Sequence, residues 1–115
     1  MSVLLTLRRP FVADHFHDRP GFQEDRHGHN WEAEATFALA GQDQEQACAE
    51  ALDAWIRQVD YSLLNDPPSL DGRNPTTELL AQWLFNFLEE RGRSAVRVKL
   101  REKANYWAAC TREAS

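Results

Sequence analysis

The sequence predicts an α+β domain in which one antiparallel four-stranded sheet carries two helices on one face, in the chain order ββααββ. Three observations predict it. Apolar and polar residues alternate through residues 27–39 after Gly28 and again through 95–102, the period of a strand with one buried face. Between those segments, two stretches repeat their apolar residues at three- and four-residue steps, the period of a helix with one buried stripe. Clusters of proline, glycine and polar residues separate the periodic segments.

Each element follows from its own residues. Val3 to Phe16 holds good strand formers and reads as one strand, bent or bulged near Pro10 because proline cannot donate to a ladder. His17 to Arg26 is polar, contains Pro20 and Gly21, and reads as a loop. In His27 to Leu39, Trp31, Ala33, Ala35, Phe37 and Leu39 fall on one face, and Asn30, Glu32, Glu34 and Thr36 on the other. Gly41 then opens a turn.

Ala47, Cys48, Ala51, Leu52, Trp55, Ile56 and Val59 make one helical stripe, and Leu79, Leu80, Trp83, Leu84, Phe87 and Leu88 another. Ser62 to Pro75 holds three prolines and a glycine and reads as a loop. Thr76 is suited to cap the second helix, Glu78 favours the positive end of its dipole, and Gly92 is placed to end it. Val96, Val98 and Leu100 alternate with Arg97, Lys99 and Arg101, and Tyr106 to Thr111 completes the sheet.

The 115 residues amount to a single domain with one modest core. Hydrophobic residues at 43% and charged residues at 27% are globular proportions, and no apolar run approaches the ~20 residues of a membrane helix. The amino-terminal apolar run lacks the features of a secretion signal, so a cytoplasmic protein is expected. A net charge of −5 without a continuous basic block speaks against nucleic acid as a partner. Cys48 and Cys110 have neither metal spacing nor a disulfide framework and read as reduced thiols filling space.

The histidines carry the chemistry. His27 and His29 lie two apart on a strand, so both imidazoles share a face, and Gly28 adds no bulk between them. If the first two strands pair as a hairpin, His15 comes opposite that pair and three neutral imidazoles converge. Three protein ligands with a vacant fourth position is the pattern of catalytic zinc, which lowers the pKa of a bound water or hydroxyl or polarises a carbonyl. His17, next to the loop, reads as solvent-exposed.

FVADH at 11–15, HGHN at 27–30, VDYSLLND at 59–66, NPTTE at 74–78 and VKLRE at 98–102 together resemble the 6-pyruvoyltetrahydropterin synthase and 6-carboxytetrahydropterin synthase family over nearly the whole chain. The resemblance implies a tunnelling fold, with subunits joined through their sheets into a barrel, often a hexamer, and sites between subunits. It implies zinc on His15, His27 and His29 and 7,8-dihydroneopterin triphosphate as the pterin substrate. Glu102 would anchor the pterin ring, and Thr76, Thr77 and Glu78 would belong to its pocket. A carboxylate suits that anchoring, since it accepts two parallel hydrogen bonds from a ring N–H and an exocyclic amine.

The sequence departs from that family at the proton-transfer positions. Gln23 stands where the usual member has a cysteine, and glutamine is no general base. Glu24, three residues before His27, resembles a variant branch in which a glutamate replaces the cysteine and the side chain is cleaved to 6-hydroxymethyl-7,8-dihydropterin, a folate precursor. The family's Asp-His pair falls on Asp60 and Tyr61. A tyrosine, with a reference pKa near ~10, is a poor base at neutral pH. Glu24, Asp60 and Tyr61 are the candidate catalytic residues, and a catalytically inactive pterin- or zinc-binding member is the competing reading.

Overall fold

The computed structural model describes residues 3–15, 18–19, 22–23, 27–41, 44–65 and 73–112, with residues 18, 19, 22, 23 and 27 described by backbone alone. In chain order the elements are β1 (Val3–His15), β2 (Asp18–Arg19), β3 (Phe22–Gln23), β4 (His27–Leu39), α1 (Glu45–Val59), β5 (Ser62–Leu63), α2 (Thr77–Glu90), β6 (Arg97–Lys103) and β7 (Tyr106–Thr111). The main sheet runs β5-β1-β4-β6-β7, and β2 and β3 form a separate two-stranded ribbon.

β1 and β4 pair antiparallel without interruption, from Val3 opposite Leu39 to His15 opposite His27. The bulge expected at Pro10 is therefore absent, and the register shows why. Val12 turns its N–H and carbonyl outward, the N–H donating to Asp60 Oδ1 at 2.9 Å and the carbonyl accepting from Tyr61 N–H. Pro10, two residues earlier, faces the same way, so its missing donor falls on an edge that no strand covers among the described residues.

Two segments expected to be loops contain short strands. Asp18 pairs with Gln23 and Arg19 with Phe22 inside the stretch 17–26. β5 opens the stretch 62–75 and runs parallel to β1, with Ala13 opposite Ser62 and Asp14 opposite Leu63. The sheet thus has five strands and is mixed, not four and purely antiparallel. Two-residue strands are too short to show alternation, and β5 owes its place to its neighbours. The Asp60 carboxylate on Val12 and the Leu64 N–H on the Asp14 carbonyl (2.9 Å) lay the chain leaving α1 along β1.

The face assignments hold. Phe11, Ala13, Trp31, Ala33, Ala35, Phe37, Val98 and Leu100 are buried on the sheet face that meets the helices. Cys48, Ala51, Leu52, Trp55 and Val59 of α1 and Leu80, Ala81, Trp83, Leu84 and Leu88 of α2 close over it. Among the largest packed rings, Phe11 stacks on Trp31 at 5.8 Å and meets Trp55 edge-on at 5.7 Å. Both cysteines are free thiols, Cys48 buried and Cys110 half-buried. Burial raises the Cys48 pKa, partly opposed by the Arg93 charge. No described helix is long and apolar enough to cross a membrane.

Both ends of α2 are built as the sequence predicts. The Thr76 hydroxyl accepts from Leu79 N–H at 3.1 Å, relieving one of the unpaired donors of the first turn. At the other end Gly92 takes φ +71°, Gly92 N–H donates to the Glu89 carbonyl and Arg93 N–H to the Leu88 carbonyl. That pair of bonds is the Schellman arrangement, which needs a left-handed residue and so favours glycine.

Candidate metal centre

The ladder between β1 and β4 sets the site. His15 is the last residue of β1, with its side chain on the helix-facing side beside Ala13 and Phe11. Because His15 pairs with His27, His29 is its diagonal neighbour on the same face. The two rings lie 5.0 Å apart at 78°, and Trp31 meets both edge-on, at 5.2 Å from His15 and 5.7 Å from His29. Trp31 is thus the floor of the site and is fixed in turn by its indole N–H, which donates to the Ala13 carbonyl at 3.2 Å.

His15 is 1% exposed, and its Nδ1 lies 3.2 Å from the Pro75 carbonyl oxygen. A carbonyl can only accept, so Nδ1 carries the proton and Nε2 is the nitrogen turned to the site. Metal-binding histidines are commonly held this way, with the far ring nitrogen donating to a carbonyl or carboxylate.

Glu102 completes the cluster. Its Oε1 lies 2.9 Å from His29 Nε2 and 3.4 Å from His15 Nε2, and its Oε2 accepts from the Thr77 hydroxyl at 3.3 Å. One donor atom from each of His15, His29 and Glu102 falls within 4.8 Å of the others. Ligands of a tetrahedral zinc, at about 2.0–2.2 Å from the ion, stand roughly 3.3–3.5 Å apart. The His15–Glu102 separation of 3.4 Å matches that spacing and the His29–Glu102 separation of 2.9 Å is of hydrogen-bond length, so what the cluster supplies is a nitrogen–oxygen donor set of the kind that can hold a metal ion.

A local irregularity aims Glu102. Arg101 pairs with Trp107 and Lys103 with Tyr106, so Glu102 is the one residue of β6 without a partner on β7. Such a bulge turns a side chain out of the regular pleat, and bulges gather beside functional sites. Next to it, the Tyr106 hydroxyl donates to Glu78 Oε1 at 3.4 Å. The field of Glu78 is the largest of the influences that raise the Tyr106 pKa, followed by burial, that hydrogen bond and the field of Glu102.

The structure therefore brings together His15, His29, Glu102 and Thr77, with Glu78 following Thr77 in the first turn of α2. Thr76 caps the helix and points its hydroxyl at Leu79 N–H. Asp60 pins the chain to Val12, and Tyr61 is 85% exposed at φ +55° on the outer edge of β1. The backbone of His27 stands opposite His15, while its imidazole, Glu24, His17 and the Gln23 side chain lie outside the described residues. Sequence reasoning missed Pro75, whose contribution is a backbone carbonyl, and Tyr106, which read only as a strand residue. Gly28 is also constrained differently than expected. A Cβ there would come within 2.7 Å of Asp14 Oδ1, from the strand opposite.

Residues 4–113 match the family model for 6-pyruvoyl tetrahydropterin synthase. The chain belongs to that family. Its 6-pyruvoyl tetrahydropterin synthase fold is shared with solved relatives of low sequence identity. The Caenorhabditis elegans 6-pyruvoyl tetrahydropterin synthase superposes with a TM-score of 0.81 at 16% identity, covering 98% of this chain and 97% of that one. The Plasmodium vivax 6-pyruvoyltetrahydropterin synthase gives 0.73 at 17% identity, covering 99% of each. A catalytic-residue mutant of the Plasmodium vivax protein, with glutamate replaced by alanine, gives 0.75 at 15% identity, again covering 99% of each. No curated protein sequence matches the chain. As a 6-pyruvoyl tetrahydropterin synthase family member, the protein belongs to a group of pterin-metabolising lyases.

Proposed function

We propose that the protein is a zinc-dependent lyase acting on 7,8-dihydroneopterin triphosphate, giving a 6-carboxytetrahydropterin-type product or, by the variant route, 6-hydroxymethyl-7,8-dihydropterin. The observation that carries the reading is the buried His15 ring, held at Nδ1 by the Pro75 carbonyl with Nε2 beside His29 and Glu102. His15, His27 and His29 would hold the ion. Bound there, zinc supplies Lewis-acid polarisation of a substrate hydroxyl or carbonyl.

The other roles fall to the chain's own groups. Glu102, kept in place by Thr77, accepts the ring N–H and exocyclic amine of the pterin, and Glu78 supplies a second carboxylate at the pocket. The low exposure of His15 and the Trp31 floor keep water from the inner side of the site. Glu24 acts as the base. It takes the proton from a side-chain hydroxyl, the neighbouring carbon–carbon bond breaks, one fragment leaves as an aldehyde, and the ring-side carbon takes up a proton. The Plasmodium vivax relative, in which the replaced glutamate is described as a catalytic residue, supports glutamate chemistry in place of the usual cysteine. Asp60 and Tyr61 sit on an outer strand edge, a position suited to serving the site of a neighbouring subunit in a homo-oligomer, here taken to be a hexamer.

A second reading, a pterin- and zinc-binding member without turnover, is favoured by Gln23 and by Tyr61, a phenol where a proton relay is needed. One experiment separates the two. Zinc-loaded protein is incubated with 7,8-dihydroneopterin triphosphate, and the pterin products are resolved by chromatography. We expect 6-hydroxymethyl or 6-carboxy pterin from the unmodified protein and loss of product in Glu24→Gln. Binding without any product, with turnover gained by Gln23→Cys combined with Tyr61→His, would establish the second reading instead.

A further inference from the structure

We propose that Tyr106 is a positioning residue for the pterin pocket: its hydroxyl holds the Glu78 carboxylate so that Glu78 and Glu102 present a paired set of acceptors to the N–H edge of the ring. This deepens the pterin reading and rests on it.

Three observations carry the assignment. The first is register. β7 turns Ala108 and Cys110 toward the helices, opposite Leu100 and Val98, and Tyr106 continues that alternation. The bulge at Glu102 then brings Tyr106 level with Lys103, so the phenol stands beside the unpaired Glu102 and reaches α2. The second is the contact itself, Tyr106 Oη to Glu78 Oε1 at 3.4 Å, one residue along α2 from the Thr77 hydroxyl that holds Glu102. Each of the two carboxylates thus accepts from a hydroxyl, Glu102 from Thr77 on α2 and Glu78 from Tyr106 on β7. The third is exposure. Tyr106 is 44% exposed, and its ring meets the Lys103 ammonium at 5.9 Å, so it stands outside the packed core. A half-exposed phenol adds little to a core, whereas a carboxylate on an exposed first turn is free to rotate unless something holds it.

The charge balance favours a permanent donor. Glu78 and Glu102 both disfavour the phenolate, and the phenol keeps its proton beyond the ordinary tyrosine range. Tyr106 therefore keeps its proton available for donation to Glu78 throughout neutral pH.

The test uses the full zinc-loaded chain and pterin (2-amino-4-oxopteridine) as the probe, with binding read from pterin fluorescence. Tyr106→Phe keeps the ring and removes only the hydroxyl. We expect it to weaken binding by about 2- to 13-fold, the range of one net hydrogen bond of about 0.5–1.5 kcal/mol. Zinc content should be unchanged. Glu78→Ala should also weaken binding, and the double variant should bind no more weakly than Glu78→Ala alone, because Tyr106 acts only through Glu78. Equal binding by Tyr106→Phe and the unmodified protein overturns the proposal, as does additivity of the two changes. Failure of the unmodified protein to bind pterin overturns the substrate reading and this proposal with it.

Discussion

At the scale of single residues the proposed function divides the site into groups that would hold an ion and groups that would hold a ligand, and substitution separates them. His15→Ala and His29→Ala each remove an imidazole. Loss of a group that merely orients a ligand already costs about 10- to 100-fold in metal affinity, so we expect more than that from either variant, measured as zinc per chain after purification. Glu102→Gln should behave differently. It keeps the shape and an oxygen near Thr77 but loses the charge that strengthens hydrogen bonds from the pterin. Zinc should stay bound on the imidazoles, while pterin affinity falls by about 1.5–3 kcal/mol, or about 13- to 160-fold. Zinc loss in Glu102→Gln would make Glu102 a ligand and displace the anchoring role. The nearness of His15 and His29 was legible because it rests on the two-residue period of a strand, whereas Glu102 was marked by the family resemblance alone. The diagonal between His15 and His29 follows from pairing alone. The Pro75 carbonyl that selects the His15 tautomer was not legible, since any residue supplies a carbonyl and only the fold says where it points.

At the scale of elements the periodic segments, including the six-residue strand Tyr106–Thr111, read correctly, and the two-residue strands did not. Thirteen residues of alternation fix β4, because a shift of one residue would turn its apolar face to solvent, and apolar stripes repeated over about four turns fix α1 and α2. β5 has two residues and no pattern of its own; it is held by tertiary bonds around Asp60. Asp60→Ala should therefore loosen the chain after α1, costing about 0.5–1.5 kcal/mol in urea unfolding and exposing the amide of Val12 to faster hydrogen exchange. An unchanged Val12 exchange rate would show that β5 is held by other bonds. The end of α2 gives a complementary case. A Cβ at Gly92 would meet nothing within 4 Å, so the only penalty for Gly92→Ala is its φ of +71°. That conformation costs a non-glycine residue about 1–2 kcal/mol, which should appear as a lower urea midpoint with an unchanged slope. The Glu102 bulge escaped the sequence for the reason β5 did: an extra residue in one strand becomes visible only against its partner.

At the scale of the molecule the sheet, as its described residues build it, is unfinished at its sides. β1 runs thirteen residues, yet its outer edge meets β5 only at Ala13 and Asp14, and Val3 and Leu4 near its start are largely exposed. At the far side β7 is the last strand, with Trp107 half-exposed and the Lys99 ammonium over its ring at 4.7 Å. Two long edges left uncovered among the described residues of one small sheet are suited to pairing with further copies of the chain, which would finish the sheet and bring outer-edge residues such as Tyr61 toward another subunit. The alternation of backbone groups provides a selective test. Arg112 N–H bonds back to Val96, and residues 110 and 108 face β6 in the same sense, which leaves the N–H of Ala109 on the open side. Ala109→Pro therefore removes a donor from the outer edge without breaking a bond between β6 and β7. If copies join through β7, the variant should keep its fold by circular dichroism and its zinc but run as a smaller species in light scattering. Turnover should fall with it if sites lie between subunits. An assembly unaltered in size by this change would place the contacts elsewhere than on the β7 edge, and a monomeric unmodified protein would confine the site to the residues of one chain.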